Sequence, residues 1–154
     1  MGHDERLTAL IGELPGPYPP HDPLDAVVLH GGRARTSGQL ARDNEGKIVF
    51  PGTLGVNVAT AQGAVAARWC ALNALSVLRS ELGSLDRIER VLTVLGFVAC
   101  SADFSEQPQV IDGASALLQE VFGETGRHSR SAVGVAALPR GASVEIEVEV
   151  ALRV

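Results

Sequence analysis

The sequence predicts an α+β fold in which two helices pack on one face of a single sheet. Three patterns support this prediction: apolar and polar residues alternate strictly over Val144–Val154, helical periodicity runs over Val58–Leu82, and Val91–Ala99 is almost continuously apolar. The element order is ββ(β)αβαββ, and strands at both ends with helices between them are typical of a one-sheet sandwich. A chain of 154 residues can bury one core, and we predict a single domain over residues 1–154.

The N-terminal part is predicted to hold a short helix, an extended segment and several short strands. The short helix spans Thr8–Glu13. Residues 14–23 hold five of the eight prolines, and they should run extended because proline lacks an N–H and fixes φ. Ala26–Leu29 and Ala34–Gln39 flank a Gly-Gly turn and are predicted to pair, and Ile48–Phe50 is predicted as a further short strand.

Both predicted helices carry the apolar stripe of a helix that packs on a sheet. The first spans Val58–Leu82, and Gly83 fits the left-handed position that commonly follows a last turn. The second follows Ser105, which can cap it, has Pro108 near its start and ends at Gly123.

The last 25 residues are predicted to form a β-hairpin, with Ser131–Ala137 and Val144–Val154 as its strands and a Leu-Pro-Arg-Gly turn between them. Alternation places three acidic residues on one face of the second strand: Glu145, Glu147 and Glu149. On the first strand Arg130 shares a face with small residues, which leaves room beside its guanidinium for a bound molecule. We expect these two faces to lie together on the side of the sheet that the helices leave uncovered. The alternative is a surface arginine on a strand weakened by glycine.

Composition and charge exclude several classes of function. The net charge of −5 argues against broad binding to nucleic acid, which needs a basic footprint. The two cysteines and four histidines show no metal-ligand spacing, and the glycines form no dinucleotide or phosphate motif. We therefore expect no metal and no cofactor. We also expect a cytoplasmic protein without a membrane anchor, since no apolar run approaches the length of a membrane span or a signal sequence.

The order of several motifs resembles a known family. Arg130–Pro139, followed by Val144–Glu147, is similar to the C-terminal signature of the YjgF/RidA family of reactive-intermediate deaminases, also named the L-PSP endoribonuclease family. Thr36–Gln39 is similar to that family's early Ser-Gly-Gln strand, and Gly83–Val91 falls in the family's order. The resemblance covers roughly residues 26–154 and is carried by the order and spacing of these pieces together.

This resemblance implies a cofactor-independent deaminase that hydrolyses small enamines or 2-imino acids, such as 2-iminopropanoate, to 2-keto acids and ammonia. It also implies a homotrimer with ligand clefts between subunits. By the family's pattern, Arg130 grips the carboxylate of the ligand and Glu145 orients and activates a water near the imine. Ser37 and Gly38 let the backbone approach the ligand, and Ala132 lies two residues after the arginine in the same pocket.

Departures from the family's pattern keep other functions open. Family deaminases carry a tyrosine shortly before the first strand, where this chain has residues 22–25 (Asp-Pro-Leu-Asp), and Tyr18 is too early unless its loop folds back. Ala132 stands where cysteine is frequent, and Asp112 is a candidate for the family's site asparagine. The alternative is a non-catalytic member that binds small carboxylates or regulates. An endoribonuclease is disfavoured because the chain lacks a basic, aromatic surface.

Overall fold

A computed structural model describes all residues from Met1 to Val154. Three helices and six strands are connected by loops and by short 3₁₀ turns. In chain order the elements are α1 His3–Ile11, β1 Val27–His30, β2 Arg33–Thr36, β3 Gln39–Leu40, α2 Thr60–Leu82, β4 Ile88–Ala99, α3 Gln107–Phe122, β5 Ser129–Val135 and β6 Val144–Leu152. No helix is both long enough and apolar enough to cross a membrane.

The strands form one mixed sheet in the order β1-β2-β6-β4-β5, with the short β3 also paired to β6. All pairs are antiparallel except β4 and β5, which run parallel. Helix α2 packs mainly on α3 and, within the sheet, on β6, while α3 also packs on β4 and β5. The predicted α+β class, with one sheet and two helices on one face, is confirmed.

The predicted C-terminal hairpin is wrong, because β4 lies between β5 and β6. Phe97 of β4 lies opposite Glu145 of β6, while Val94 of β4 lies beside Arg130 of β5. A long, largely apolar strand such as β4 gains most when neighbours cover both of its edges. The connection over residues 136–143 is long enough to pass over the end of β4, a step of about 10 Å at the usual strand spacing.

The core lies between the sheet and the two long helices. The apolar face of β6 is buried there: Val144, Ile146, Val148 and Val150 are at most 1% exposed. Gly96 of β4 lies under Ile111 of α3, and a Cβ at Gly96 would lie 2.6 Å from that side chain. Burying one such aliphatic side chain contributes about 1.5–3 kcal/mol, so this face supplies much of the stability of the fold.

Smaller elements differ from their predictions for local reasons. Helix α1 begins at His3 because Asp4 anchors its first turn by accepting hydrogen bonds from Ser84 Oγ, at 2.6 Å, and from the Leu85 N–H, at 3.0 Å. The N-cap position of helix α3 is Glu106 and not Ser105, and the Glu106 side chain makes no capping hydrogen bond. The predicted strand Ile48–Phe50 is reduced to a single bridge from Ile48.

Candidate functional site

An open groove of about 590 Å³ lies at the end of β6 on the side of the sheet away from the helices. The break between β2 and β3 creates one wall, because Thr36 Oγ1 accepts a hydrogen bond from the Val148 N–H, at 3.1 Å, and the chain then leaves the sheet at Ser37. The proline-rich segment crosses this face and forms a second wall. Glu145 lines the groove together with Ser37 and Gly38, so three of the sequence-predicted site residues lie together.

Gly38 lets the carboxyl group of Glu145 lie directly against the backbone. A Cβ at Gly38 would lie 2.8 Å from Glu145 Cδ and about 3 Å from both carboxyl oxygens, so any larger residue would displace this carboxyl group. Ser37 forms hydrogen bonds within the chain. Its hydroxyl donates to the Asp25 carbonyl at 2.6 Å, while its N–H donates to the Ala26 carbonyl at 2.8 Å. Ser37 therefore fixes the loop that carries Gly38.

Glu145 differs from the two glutamates that share its face. Glu147 pairs with Arg35 at 3.2 Å and Glu149 with Arg33 at 3.7 Å, whereas Glu145 has no ion-pair partner. Burial, and then the nearby carboxylate of Glu147, raise the pKa of Glu145 above its ordinary value. No cation of the same chain forms an ion pair with the Glu145 carboxyl. The alternating pattern of the strand gave no sign of this difference.

Tyr18 reaches the groove although it lies early in the sequence. The loop folds back, so that the Tyr18 hydroxyl donates to the Asp43 carbonyl and its ring lies under the guanidinium of Arg42, 5.4 Å from Arg42 Cζ to the ring centroid. Leu24, from the segment where the family's tyrosine was sought, lines the same groove. Only the fold of the proline-rich segment brings Tyr18 here, and sequence spacing alone could not show it.

Arg130 lies on the other side of the sheet from Glu145, which corrects the expectation that both share the uncovered face. Its neighbour in β4 is Val94, whose side chain is buried under the helices, and neighbouring residues of paired strands share a face. Arg130 Nη1 donates to Asp112 Oδ1 at 2.9 Å and to Ser115 Oγ at 3.1 Å. Ala132, two residues on, packs at the edge of the core on the same face.

A polar cluster on α3 and the loop before β5 holds Arg130. Its Nη2 donates to the Pro108 carbonyl at 3.3 Å, so two of its five N–H groups remain free. His128 Nε2 lies 2.9 Å from Ser115 Oγ, and its Nδ1 lies 2.6 Å from the Gly126 carbonyl. Burial lowers the pKa of His128, the hydrogen bond to Gly126 opposes this, and Arg130 lowers the pKa further. A neutral His128 donates from Nδ1 and accepts the Ser115 hydroxyl at Nε2.

The remaining groups to consider are clusters of metal-ligating side chains and the two cysteines. No three His, Cys, Asp or Glu side chains lie close enough together to hold a metal ion. Cys70 and Cys100 are free thiols. Cys70 is fully buried, which raises the pKa of its thiol, and a thiol in that state is a poor nucleophile.

The fold agrees with comparisons to known proteins. Residues 5–146 match the model of a family described as "YjgF/chorismate mutase-like, putative endoribonuclease". The chain belongs to the YjgF/chorismate-mutase-like family. That assignment confirms the resemblance carried by the Arg-Ser-Ala-Val-Gly and Ser-Gly-Gln motifs.

Three relatives show how much of the chain the family accounts for. Protein TCP17 of Trypanosoma cruzi is 43% identical over 141 residues, which cover 91% of this chain and 88% of that protein. Protein Atu1372 of Agrobacterium tumefaciens, of unknown function, is 40% identical, covers 99% and 92% of the two chains and superposes with a TM-score of 0.89. A protein of Shewanella oneidensis described as a "putative endoribonuclease" is 31% identical. The match covers 99% of this chain and 100% of that one, with a TM-score of 0.94. The N-terminal helix and the proline-rich segment therefore belong to a shared architecture.

Proposed function

We propose that the protein hydrolyses small 2-imino acids to 2-keto acids and ammonia, without a cofactor, in clefts between the subunits of a cytoplasmic homotrimer. The observation that carries this proposal is the Glu145 carboxyl, which is half-buried, has no cation partner and lies against the Gly38 backbone in an open groove. A carboxyl with a raised pKa is a better proton acceptor near neutral pH than an ordinary one.

The positions of Arg130 and Glu145 support a site made by two copies. They lie on opposite sides of one sheet, so one chain cannot offer both to a small molecule. The side of the sheet away from the helices also exposes apolar side chains, with Val28 of β1 at 56% and Val133 of β5 at 41%. Covering such residues favours association. A second copy that covers this side would bring its own edge strand towards the groove.

In the proposed reaction, the free N–H groups of Arg130 of the partner subunit hold the substrate's carboxylate. A water held by Glu145 adds its oxygen to the imine carbon, while one water proton passes to Glu145 and the electrons of the C=N bond go to the nitrogen. The protonated Glu145 returns a proton to that nitrogen. The second proton of the water, now on the hydroxyl, then passes through Glu145 to the same nitrogen. An electron pair of the oxygen forms the C=O bond of the ketone as the C–N bond breaks, and the electron pair of the C–N bond leaves with ammonia. Holding water and imine together supplies most of the rate.

A non-catalytic carboxylate-binding function is the alternative, and one observation favours it. Ala132, two residues after Arg130 on the same face, carries no polar or nucleophilic group. Such a protein would bind 2-keto acids without turning over their imines. The family and the Shewanella relative are both described as endoribonucleases. For that function, RNA cleavage would have to persist through extensive purification of the protein.

The test is release of keto acid from freshly generated 2-iminopropanoate by the wild type and by Glu145→Gln. The amide keeps the size of the side chain but cannot accept a proton, so we expect turnover to fall by about 10²-fold or more while pyruvate still binds. Glu149→Gln is the matched control, because it lies on the same strand face and is paired with Arg33. Wild-type turnover in Glu145→Gln would remove this residue from the mechanism. Absence of turnover in the wild type, with pyruvate bound, would establish the alternative.

A further inference from the structure

The groove that holds Glu145 contains an arginine, Arg42, that no acidic residue of the chain neutralises. Arg42 is half-buried, yet it forms no ion pair. Its only side-chain hydrogen bond is a long one, from Nη1 to the Gly46 carbonyl at 3.5 Å. A half-buried guanidinium with four unused N–H groups is costly unless an anion binds it.

Arg42 is nevertheless held in place. The ring of Tyr18 supports its guanidinium from one side, and Asn73 Nδ2 donates to the Arg42 carbonyl at 2.8 Å. Tyr18 is itself fixed by its hydrogen bond to the Asp43 carbonyl. This arrangement limits the freedom of Arg42, so little entropy is lost when an anion binds.

Arg140 lines the same groove from the loop before β6. It too lacks an acidic partner, and its backbone has a positive φ of 60°, an uncommon conformation for an arginine. Glu147, the other acidic residue in the groove, is neutralised by Arg35 at 3.2 Å. In a chain with a net charge of −5, this groove therefore has two unpaired cations against the single carboxyl of Glu145.

We propose that Arg42, assisted by Arg140, binds a second carboxylate of the substrate, so that the preferred substrates are 2-imino dicarboxylic acids. This inference rests on the proposed function, in which the first carboxylate is bound by Arg130 of the partner subunit and the imine carbon lies at Glu145. A groove of about 590 Å³ also exceeds what a three-carbon imino acid fills. One cationic site from Arg130 of the partner subunit and a second from Arg42 would match a substrate that carries two carboxylates.

The test compares binding of 2-oxoglutarate and of 2-oxobutanoate, one dicarboxylic and one monocarboxylic keto acid, by calorimetry. We expect the wild type to bind 2-oxoglutarate about 10–100-fold more tightly, the scale of a charged hydrogen-bonded contact. Arg42→Gln should bring the ratio of the two affinities close to one, and Arg140→Gln, in an exposed turn, should reduce it. Lys47→Gln is the charge-matched control, because Lys47 is exposed, pairs with Glu45 and lies outside the groove, and it should keep the wild-type ratio.

The outcomes separate this inference from the proposed function. Equal wild-type affinities, or a preference that survives in both Arg42→Gln and Arg140→Gln, would overturn the dicarboxylate assignment. If 2-oxobutanoate binding is still lost in Arg130→Ala, the proposed function would stand without the dicarboxylate preference. If neither keto acid binds the wild type, both fail. Should Arg42→Gln disturb the fold, which circular dichroism would show, Arg140→Gln and Arg42→Lys still decide the question.

Discussion

The two faces of strand β6 differ in what determines the environment of each residue. Val144, Ile146 and Val148 pack under the helices and are almost completely buried. On the other side, Glu147 and Glu149 pair with arginines of β2, and Glu145 pairs with none. The apolar residues share one environment, whereas neighbouring glutamates of identical chemistry lie in different ones. On the helix side, the alternation of apolar and polar residues in the sequence determines which residues are buried. On the open side, the side chains of the neighbouring strand determine whether a glutamate is paired.

The largest difference between the two sides should appear in stability. Ile146→Ala removes a fully buried side chain from the core and should lower the free energy of unfolding by about 2–5 kcal/mol. Glu147 is the next residue and lies on the opposite side. Apart from the small contribution of its exposed ion pair, Glu147→Ala should change the free energy of unfolding by no more than about 0.5 kcal/mol. Chemical denaturation at one fixed protein concentration measures both. Similar losses in the two variants would mean that the open side is as much a core as the helix side.

A smaller effect should separate Glu145 from the other glutamates. The raised pKa of Glu145 means that the folded protein binds this proton more readily than the unfolded chain does. As pH rises from the ordinary carboxyl pKa through the raised one, the folded state therefore loses stability. Glu145→Gln should melt higher than the wild type at about pH 8, and this difference should shrink towards about pH 4. Thermal unfolding of Glu149→Gln, followed over the same range, should show no such gain. A Glu145→Gln variant less stable than the wild type at high pH would contradict the burial of an unpaired carboxylate.

Much of the fold could be predicted from the sequence because periodicity reports which face of an element is buried. The long helix was predicted to begin two residues before Thr60 and to end at Leu82, where it does. Alternation on β6 placed its apolar and acidic faces correctly. Strand pairing could not be predicted in the same way, because β5 and β6 are adjacent in sequence but each gains more by pairing with β4.

That pairing error also explains what the sequence missed at the site. Strand β5 pairs in parallel with the far edge of β4 and not with β6. In this position Arg130 faces α3, where it pairs with Asp112. The Ser37, Gly38 and Glu145 grouping was predicted through the family resemblance and is adjacent in space. Arg42 was missed, and Tyr18 was considered only on the condition that its loop folds back, because the positions of both depend on how the proline-rich segment folds across the sheet.

Subunit complementation tests the central claim most directly, that the site combines Glu145 of one copy with Arg130 of the next. Arg130→Ala and Glu145→Gln chains carrying different tags would be co-expressed and purified through both tags. In a closed ring of three such mixed chains, one of the three clefts has both native residues. The proposal predicts that each variant alone lacks imine hydrolysis, while the mixed trimer recovers about one third of the wild-type rate. A mixed assembly as inactive as its parents, or a chain that is monomeric by light scattering, would contradict a site shared between subunits.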